Sequence, residues 1–408
     1  MQNIKSRIEA QRFIKNLTAK TKFVISKNSR ALGLSRQTYQ NKLDNLRKKN
    51  LITNFTINID PNIRPDHLKY VMVEIKTNPK EPELVKELLN ISQLKMLDGI
   101  IGDYSLFALF IFKSNEEYYE ILNRVDDIMA KSYFKKYQII ETIKVFKTNG
   151  ISLKNAKITF DIGTTLNLKQ IARNSPNIEY NPQRFPGLVM KIKDPLSTVL
   201  IFSSGKIVIT DFDGNLEHPR LLDNVLEEIL KIGIHLRKTT INQYFYIDEI
   251  DYLILRILQE EQGLRPISTY EIKDLLNNKY LKSVKSHSTI SQSTIHNRIK
   301  RLEVQGVILN YTVNFSPKKV GFEGKYFLRI KPKDPSKYNE LAFKLVKNKN
   351  ITDLFRIGEQ LGLFAIVRVN NVEDYADFIR ELYQSDDIED TLTTFVLDEL
   401  ITFTNFIF

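Results

Sequence analysis

The chain has 408 residues, 42% hydrophobic and 26% charged, which is a globular composition with room for several domains of about 100–200 residues each. It contains no cysteine, which excludes disulfides, zinc ribbons, iron–sulfur clusters and thiol catalysis. No apolar run approaches the roughly 18–20 residues of a membrane span, and no apolar signal region follows Met1-Gln-Asn-Ile-Lys-Ser-Arg, so a cytoplasmic protein is expected. Sixty basic against 48 acidic residues give a net charge of +12, and the surplus is uneven. Residues 1–62 hold 13 basic and 3 acidic groups, residues 237–320 hold 13 and 8, and residues 151–236 hold 10 and 9. Positive charge gathered into two blocks is the footprint of a polyanion partner.

Within the first block, Ala31-Leu-Gly-Leu-Ser35 reads as a tight turn in which Gly33 takes the conformation a turn needs. A helix follows whose outward residues are Arg36, Gln37, Gln40, Asn41 and Lys42, preceded by Ser35. Residues 63–150 alternate between strands and helices: a strand over Leu68–Lys76 and a helix over Pro82–Leu89 come first. Strands over Met96–Ile101 and Leu106–Phe112, a helix over Glu116–Met129 and a strand over Gln138–Val145 complete the unit. That order is the ferredoxin-like βαββαβ arrangement.

Residues 151–236 carry two motifs, Ala172-Arg-Asn-Ser-Pro-Asn-Ile-Glu-Tyr-Asn-Pro-Gln-Arg-Phe-Pro-Gly-Leu188 and Thr198-Val-Leu-Ile-Phe-Ser-Ser-Gly-Lys-Ile-Val-Ile-Thr210. Alternation puts Thr198, Leu200 and Phe202 on one face, and Val208 with Thr210 likewise. Leu222, Val225, Leu226, Ile229 and Leu230 form the apolar stripe of a helix covering the opposite face. Together these motifs resemble one half of a TATA-box-binding protein, whose saddle contains two such repeats. The resemblance implies a minor-groove surface, with Phe185 and Phe202 as the wedge and Asn155, Val208 and Thr210 at base edges. Lys157, Thr198 and Leu200 lie on the same face, Lys157 where the family has an apolar contact. Asp211 and Asp213 stand beside the expected phosphate path.

Residues 237–408 repeat residues 1–150. Leu34-Ser-Arg-Gln-Thr-Tyr-Gln-Asn-Lys-Leu-Asp-Asn-Leu46 aligns with Ile290-Ser-Gln-Ser-Thr-Ile-His-Asn-Arg-Ile-Lys-Arg-Leu302. The register continues through Asn54/Asn310, Thr56/Thr312, Asn58/Asn314 and Gly102/Gly358, and Leu106-Phe-Ala matches Leu363-Phe-Ala after a one-residue slip. Ile250, Leu253, Ile254, Ile257 and Leu258 recur at helical spacing, a short helix follows over Thr269–Leu276, and Ser291 is the N-cap of a helix over Gln292–Gln305. That helix buries Ile295, Ile299 and Leu302 and exposes Gln292, Ser293, His296, Asn297 and Lys300. Three helices and a β-hairpin make a winged helix-turn-helix in each copy, followed by a second ferredoxin-like unit.

The winged helix, the α/β unit, the loops at Gly102 and Gly358, and the helix Asp248-Glu-Ile-Asp-Tyr-Leu-Ile-Leu-Arg-Ile-Leu258 together resemble the Lrp/AsnC transcription regulators. The resemblance implies duplex DNA as partner, pairing through the α/β units, and an amino-acid effector near Gly102-Asp103 or Gly358-Glu359. Both loops depart from the family pattern, which argues against an effector. The expected protein is therefore multidomain α+β. Its divisions are a winged helix-turn-helix (1–62), a ferredoxin-like unit (63–150), a saddle half (151–236), a second winged helix (237–320) and a second ferredoxin-like unit (321–408).

Two functions stay open. One is an archaeal-type regulator binding A/T-rich promoter DNA as a homodimer or larger, or with its two copies paired within one chain as a pseudo-dimer. The other is an interaction module that mimics the TATA-binding surface and engages basal transcription factors. The five histidines show no metal-ligand spacing and no phosphate-cradling glycine loop follows a strand, so no metal, cofactor or enzymatic activity is expected.

Overall fold

The computed structural model describes residues 2–18, 23–61, 68–153, 158–162, 164–173, 178–183, 185–193, 196–210, 227–234, 247–281 and 289–407. The first copy opens with α1 (Gln2–Leu17), α2 (Ile25–Ala31) and α3 (Arg36–Lys48), then the single strand β1 (Ile52–Ile59). Its α/β unit is β2 (Lys69–Lys76), α4 (Pro82–Leu89), β3 (Leu94–Ile100), β4 (Leu106–Phe112), α5 (Asn115–Lys131) and β5 (Lys136–Thr148). A short β6 (Ile151–Ser152) leads into the middle block, which contains β7 (Ile158–Asp161), α6 (Leu168–Arg173), β8 (Ile178–Glu179), β9 (Leu188–Lys193), β10 (Leu196–Ile201) and β11 (Lys206–Thr210).

The second copy runs through α7 (Glu249–Glu260), α8 (Thr269–Leu275), α9 (Gln292–Val304), β12 (Ile308–Phe315) and α10 (Pro317–Val320). Its α/β unit is β13 (Gly324–Pro332), α11 (Tyr338–Leu345), β14 (Ile351–Ile357), β15 (Leu363–Val369), α12 (Val372–Gln384) and β16 (Ile388–Glu399). The helix expected to reach Leu276 ends one residue earlier and passes into a π-helical turn over Leu276–Tyr280.

The expected β-hairpin in each copy is not what forms. Instead β1 pairs antiparallel with β12, one strand from each copy. Thr56 lies opposite Thr312, its own counterpart in the repeat, so a pseudo-two-fold axis passes between them. The amide of Asn58 donates to Asn310 Oδ1 at 2.8 Å, and that of Asn314 donates to Asn54 Oδ1 at 3.0 Å. These are the same bond made twice, related by the axis. Buried amides need such partners, because an orphaned one costs about 1–3 kcal/mol. The ribbon also completes both helical cores. Ile52, Phe55, Val313 and Phe315 join Phe13, Ile14, Tyr39 and Leu43, whereas Ile57, Ile308 and Tyr311 join Ile254, Ile257, Ile295 and Leu302.

The α/β units pair in the same way. The strand order is β14-β15-β13-β16-β3-β4-β2-β5, and β5 returns to β14, closing a ring of eight. Helices cover each unit's outer face over Val71, Val73, Leu97, Ala108, Ile121 and Val125 in one copy, and Leu328, Ile330, Leu354, Ala365, Phe378 and Leu382 in the other. Between the two units lies a shared interior of Tyr70, Met72, Phe107, Leu109, Phe327, Phe355, Phe364 and Ile366. Phe107 and Phe364 are repeat equivalents, and their rings stack 5.3 Å apart near the axis.

Of the two pairings left open by the duplication, the intrachain one is formed. The sheet surface assigned to joining two chains is occupied by the chain's own second copy, because a duplication supplies both halves of the interface at high effective concentration. Light scattering of the DNA-free protein at micromolar concentration is expected to give the single-chain mass of 47.6 kDa. A value twice that would show chains joined elsewhere.

The middle block is a five-stranded antiparallel sheet in the order β7-β11-β10-β9-β8. Leu188, Met190, Val199, Ile201, Ile207 and Ile209 point to one face and are buried with Leu168, Ile229 and Ile234. Ile229 belongs to helical residues 227–231, where Leu230 is exposed, and Leu222, Val225 and Leu226, expected on the same stripe, lie outside the described residues.

Candidate nucleic-acid interface

Helix α3 is fixed at its start by Ser35, whose Oγ accepts the Thr38 N–H at 3.0 Å, the N-cap arrangement that satisfies an otherwise free donor. Gly33 sits at φ +68 in the preceding turn, a left-handed conformation that favours glycine. Tyr39 and Leu43 are buried. The Tyr39 ring lies 4.5 Å from Phe13, and its hydroxyl donates to Asn16 Oδ1 at 2.9 Å. With that face held inward, Arg36, Gln37 and Asn41 are exposed and Gln40 is half-buried. Gln37 donates to Asn41 at 3.1 Å, and Gln40 to Asp44 at 3.0 Å, so the amides are ordered along one stripe.

Lys42 belongs to a different surface, since its ammonium is paired with Glu9 of α1. Its counterpart Arg298 does the same in the second copy, bonding Asp248 at 2.7 Å and Asp251 at 2.9 Å. The position of the cation is repeated, and in each copy it meets a carboxylate on or just before the first helix, so this contact fastens the third helix to the first. Burial raises the Asp251 carboxyl above its ordinary value against the pull of Arg298 and Arg301. At Asp248 burial also pushes upward, but hydrogen bonds from Arg298 and Asp251 outweigh it and the value falls.

Helix α9 repeats the cap, with Ser291 Oγ accepting the Thr294 N–H at 3.1 Å. Ile295, Ile299 and Leu302 are buried, and Gln292, Ser293, His296, Asn297 and Lys300 are all exposed. Gln292 donates to Thr269 Oγ1 at 3.0 Å.

In the middle block the face opposite the core carries Val189, Thr198, Leu200, Phe202 and Val208, all half-exposed, with Lys191 exposed. Cross-strand register sets Thr198 opposite Thr210, and Leu200 opposite both Val208 and Val189. Phe185 and Phe202 meet edge to face, with centroids 5.6 Å apart. A Cβ on Gly187 would come within 2.8 Å of the Phe185 ring and 2.9 Å of the Ile201 carbonyl, so glycine is needed for Phe185 to lie against β10. Asn155 and Lys157 lie outside the described residues, as do Asp211 and Asp213.

The two glycine loops are close together; Asp103 of the first is exposed, and the acid of the second is engaged. Glu359 accepts from Gln138 at 2.9 Å and pairs with Arg329 at 3.2 Å. Tyr104, beside Asp103, donates to the same Gln138 at 3.2 Å. Gly102 adopts φ +147, and the Gly358 N–H donates to the Glu141 carbonyl at 3.2 Å. Among the described residues no group of His, Asp and Glu could hold a metal ion. No described helix is long and apolar enough to cross a membrane.

Residues 150–232 match the model of the TATA-binding protein family, described as transcription factor TFIID, and residues 325–406 match that of the Lrp/AsnC ligand binding domain. The TATA-box-binding protein of Thermococcus kodakarensis is 33% identical over 129 residues, covering 31% of this chain and 67% of that protein. The HTH-type transcriptional regulator FL11 of Pyrococcus furiosus is 31% identical over 151 residues, covering 37% of this chain and 89% of that protein. A crystal structure of the siroheme decarboxylase NirDL overlaps 96% of this chain and 91% of its own, at 10% identity and a TM-score of 0.48; so loose an overlay supports no argument. The class is thus a mixed α+β protein whose relatives include archaeal TATA-box-binding proteins and an archaeal HTH-type regulator. The chain belongs to the Lrp/AsnC family of transcription regulators, with a domain of the TATA-binding-protein family built into it.

Proposed function

We propose that the protein is a cytoplasmic, non-catalytic transcription regulator that binds duplex DNA through two winged helix-turn-helix units in one chain. In this reading α3 and α9 are the recognition helices, and the β1–β12 ribbon stands in for two separate hairpin wings. The observation that carries it is the outward stripe of Arg36, Gln37, Gln40 and Asn41 on the most basic block of the chain. Arginine matches the guanine edge and glutamine or asparagine the adenine edge in the major groove. Relatives that are regulators and TATA-binding proteins support the same reading.

The middle block adds a minor-groove contact to A/T-rich DNA through Phe185, Thr198, Leu200, Phe202, Val208 and Thr210. A specific observation favours a second reading for this block alone. Phe185 and Phe202 lean on each other on a domain of nearly neutral charge, as suits docking by a basal transcription factor. No amino-acid effector is proposed, because both loops depart from the family pattern and Glu359 is already bonded to Arg329 and Gln138.

Fluorescence anisotropy with a labelled A/T-rich promoter duplex tests the DNA reading. Each phosphate neutralised adds about −0.9 to the slope of log affinity against log salt, so a slope of roughly −4 or steeper is expected. A slope near zero, with capture of a basal factor in the absence of DNA, would replace this reading with the second one.

A further inference from the structure

The two junctions of the eight-stranded ring occupy equivalent places but differ in chemistry, ring and aliphatic contacts with Lys95 over the Tyr70 ring at one and direct ion pairs at the other. Register defines the equivalence. Tyr70 lies opposite Ile111, and Lys325 opposite Arg368. Val145 lies opposite Phe355 where β5 meets β14, and Glu399 opposite Asp98 where β16 meets β3. One junction is therefore Tyr70, Ile111 and Val145 of the first copy against Phe355 of the second, with Tyr70 and Phe355 rings 5.5 Å apart. The other is Lys325, Arg368 and Glu399 of the second copy against Asp98 of the first. There Lys325 bonds Asp98 at 2.6 Å and Glu399 at 3.3 Å, and Arg368 grips Glu399 at 2.9 and 2.6 Å. Lys325 and Asp98 are 4% and 1% exposed. Nearer the axis, Glu74 lies opposite Phe107 and Arg329 opposite Phe364, so these two are equivalents, and they pair with each other at 2.8 Å.

We infer that these buried charges restrict the interface to one pairing, first copy against second, and exclude pairing of like copies between chains. Two cations and two anions balance in the ionic junction only when Asp98 of the first copy meets Lys325 of the second. Two first copies would bury Asp98 against Tyr70, Ile111 and Val145 at both junctions and set Glu74 against Glu74. Two second copies would leave Lys325 and Arg368 with Glu399 alone in direct contact, facing Phe355, and bring two Arg329 guanidiniums together, each with only its own copy's Glu359. A buried charge without its partner is strongly destabilising, so the favourable pairing is the mixed one. Building specificity from an unfavourable alternative is as effective as adding attraction.

The absence of cysteine makes disulfide trapping a direct test. Thr142 faces Ile357, and Ile100 faces Val396. Thr142→Cys with Ile357→Cys should close a disulfide within one chain and keep the single-chain mass. Ile100→Cys with Thr142→Cys can be linked only if first copies of two chains pair, and should stay unlinked; a two-chain disulfide there would overturn the inference. Charge is tested separately. In a Glu359→Gln background, which removes the second carboxylate that Arg329 contacts, Glu74→Arg and Arg329→Glu should each lower the melting temperature by roughly 10 °C, and the double reversal should recover most of it. A double variant no more stable than its weaker single would show that the charges do not select the partner.

Discussion

Replacing Arg36 and Gln37 together with alanine should weaken binding of the preferred duplex roughly 30-fold or more, at about 1–3 kcal/mol for each base edge left unread. Both side chains are exposed at the start of α3, and neither supports the core. The cap made by Ser35 and the anchors Tyr39 and Leu43 remain, so the melting temperature should stay within about 2 °C of the parent. The loss should be confined to the preferred site. Non-specific duplex, held through its phosphates, should lose only the share due to one arginine charge. A matching variant in α9, Gln292→Ala with Asn297→Ala, should have a smaller effect, because the second block carries eight acidic groups and its arginines at 298 and 301 are engaged by Asp248 and Asp251. If the α3 variant binds its best site as tightly as the parent, α3 does not read bases.

The unequal helices follow from the unequal copies. A regulator made of two identical subunits presents the same helix twice and suits a palindrome. Here the ribbon and the ring fix one α3 beside one α9, with Arg36 replaced by Gln292 and Gln40 by His296 across the axis. The reading proposed for these helices therefore gives a site whose two halves differ.

Much of this was legible in the chain itself. The 3.6-residue spacing marked α3, α7 and α9, and both serine caps are where the repeat placed them. The strand–helix order of residues 68–148 follows the alternation closely, with Pro82–Leu89 and Leu106–Phe112 bounded as expected. Pairing was not legible, because a strand such as Ile52–Ile59 has the same alternation whether its partner is its neighbour or the distant β12. The four matched asparagines were a usable signal: amides preserved in both copies on one edge suggest mutual hydrogen bonds. Lys325 and Arg329 were harder. In Lys325-Tyr-Phe-Leu-Arg-Ile they share a face with Phe327, and alternation assigns charge to solvent unless a second, complementary copy is known to cover it. The ion pair of Lys42 was hidden for a similar reason. It lies at the edge of the exposed stripe, and only the position of Glu9 in three dimensions shows which neighbour it serves.

Phe185→Ala with Phe202→Ala should abolish DNA bending, read as energy transfer between dyes at the two ends of an A/T-rich duplex, while leaving the fold intact. The two rings stand on the half-exposed face of the sheet, away from Val199, Ile201, Ile207 and Ile209, so their removal leaves the block's own core in place. Opening a base step costs about a few kcal/mol and is repaid only if the bent duplex touches more of the protein. One half-saddle spans half of such a surface, and each chain has one. Bending should therefore need two chains on the duplex and rise with the square of protein concentration, whereas binding through α3 needs only one. The ring between the α/β units cannot recruit the second chain, because both of its edges are already paired. Among the described residues the middle block's sheet ends at β7 on one side and β8 on the other, and a second sheet would join at one of these edges. A variant that bends DNA like the parent would remove the wedge and leave Phe185 and Phe202 as a docking pair for a protein partner.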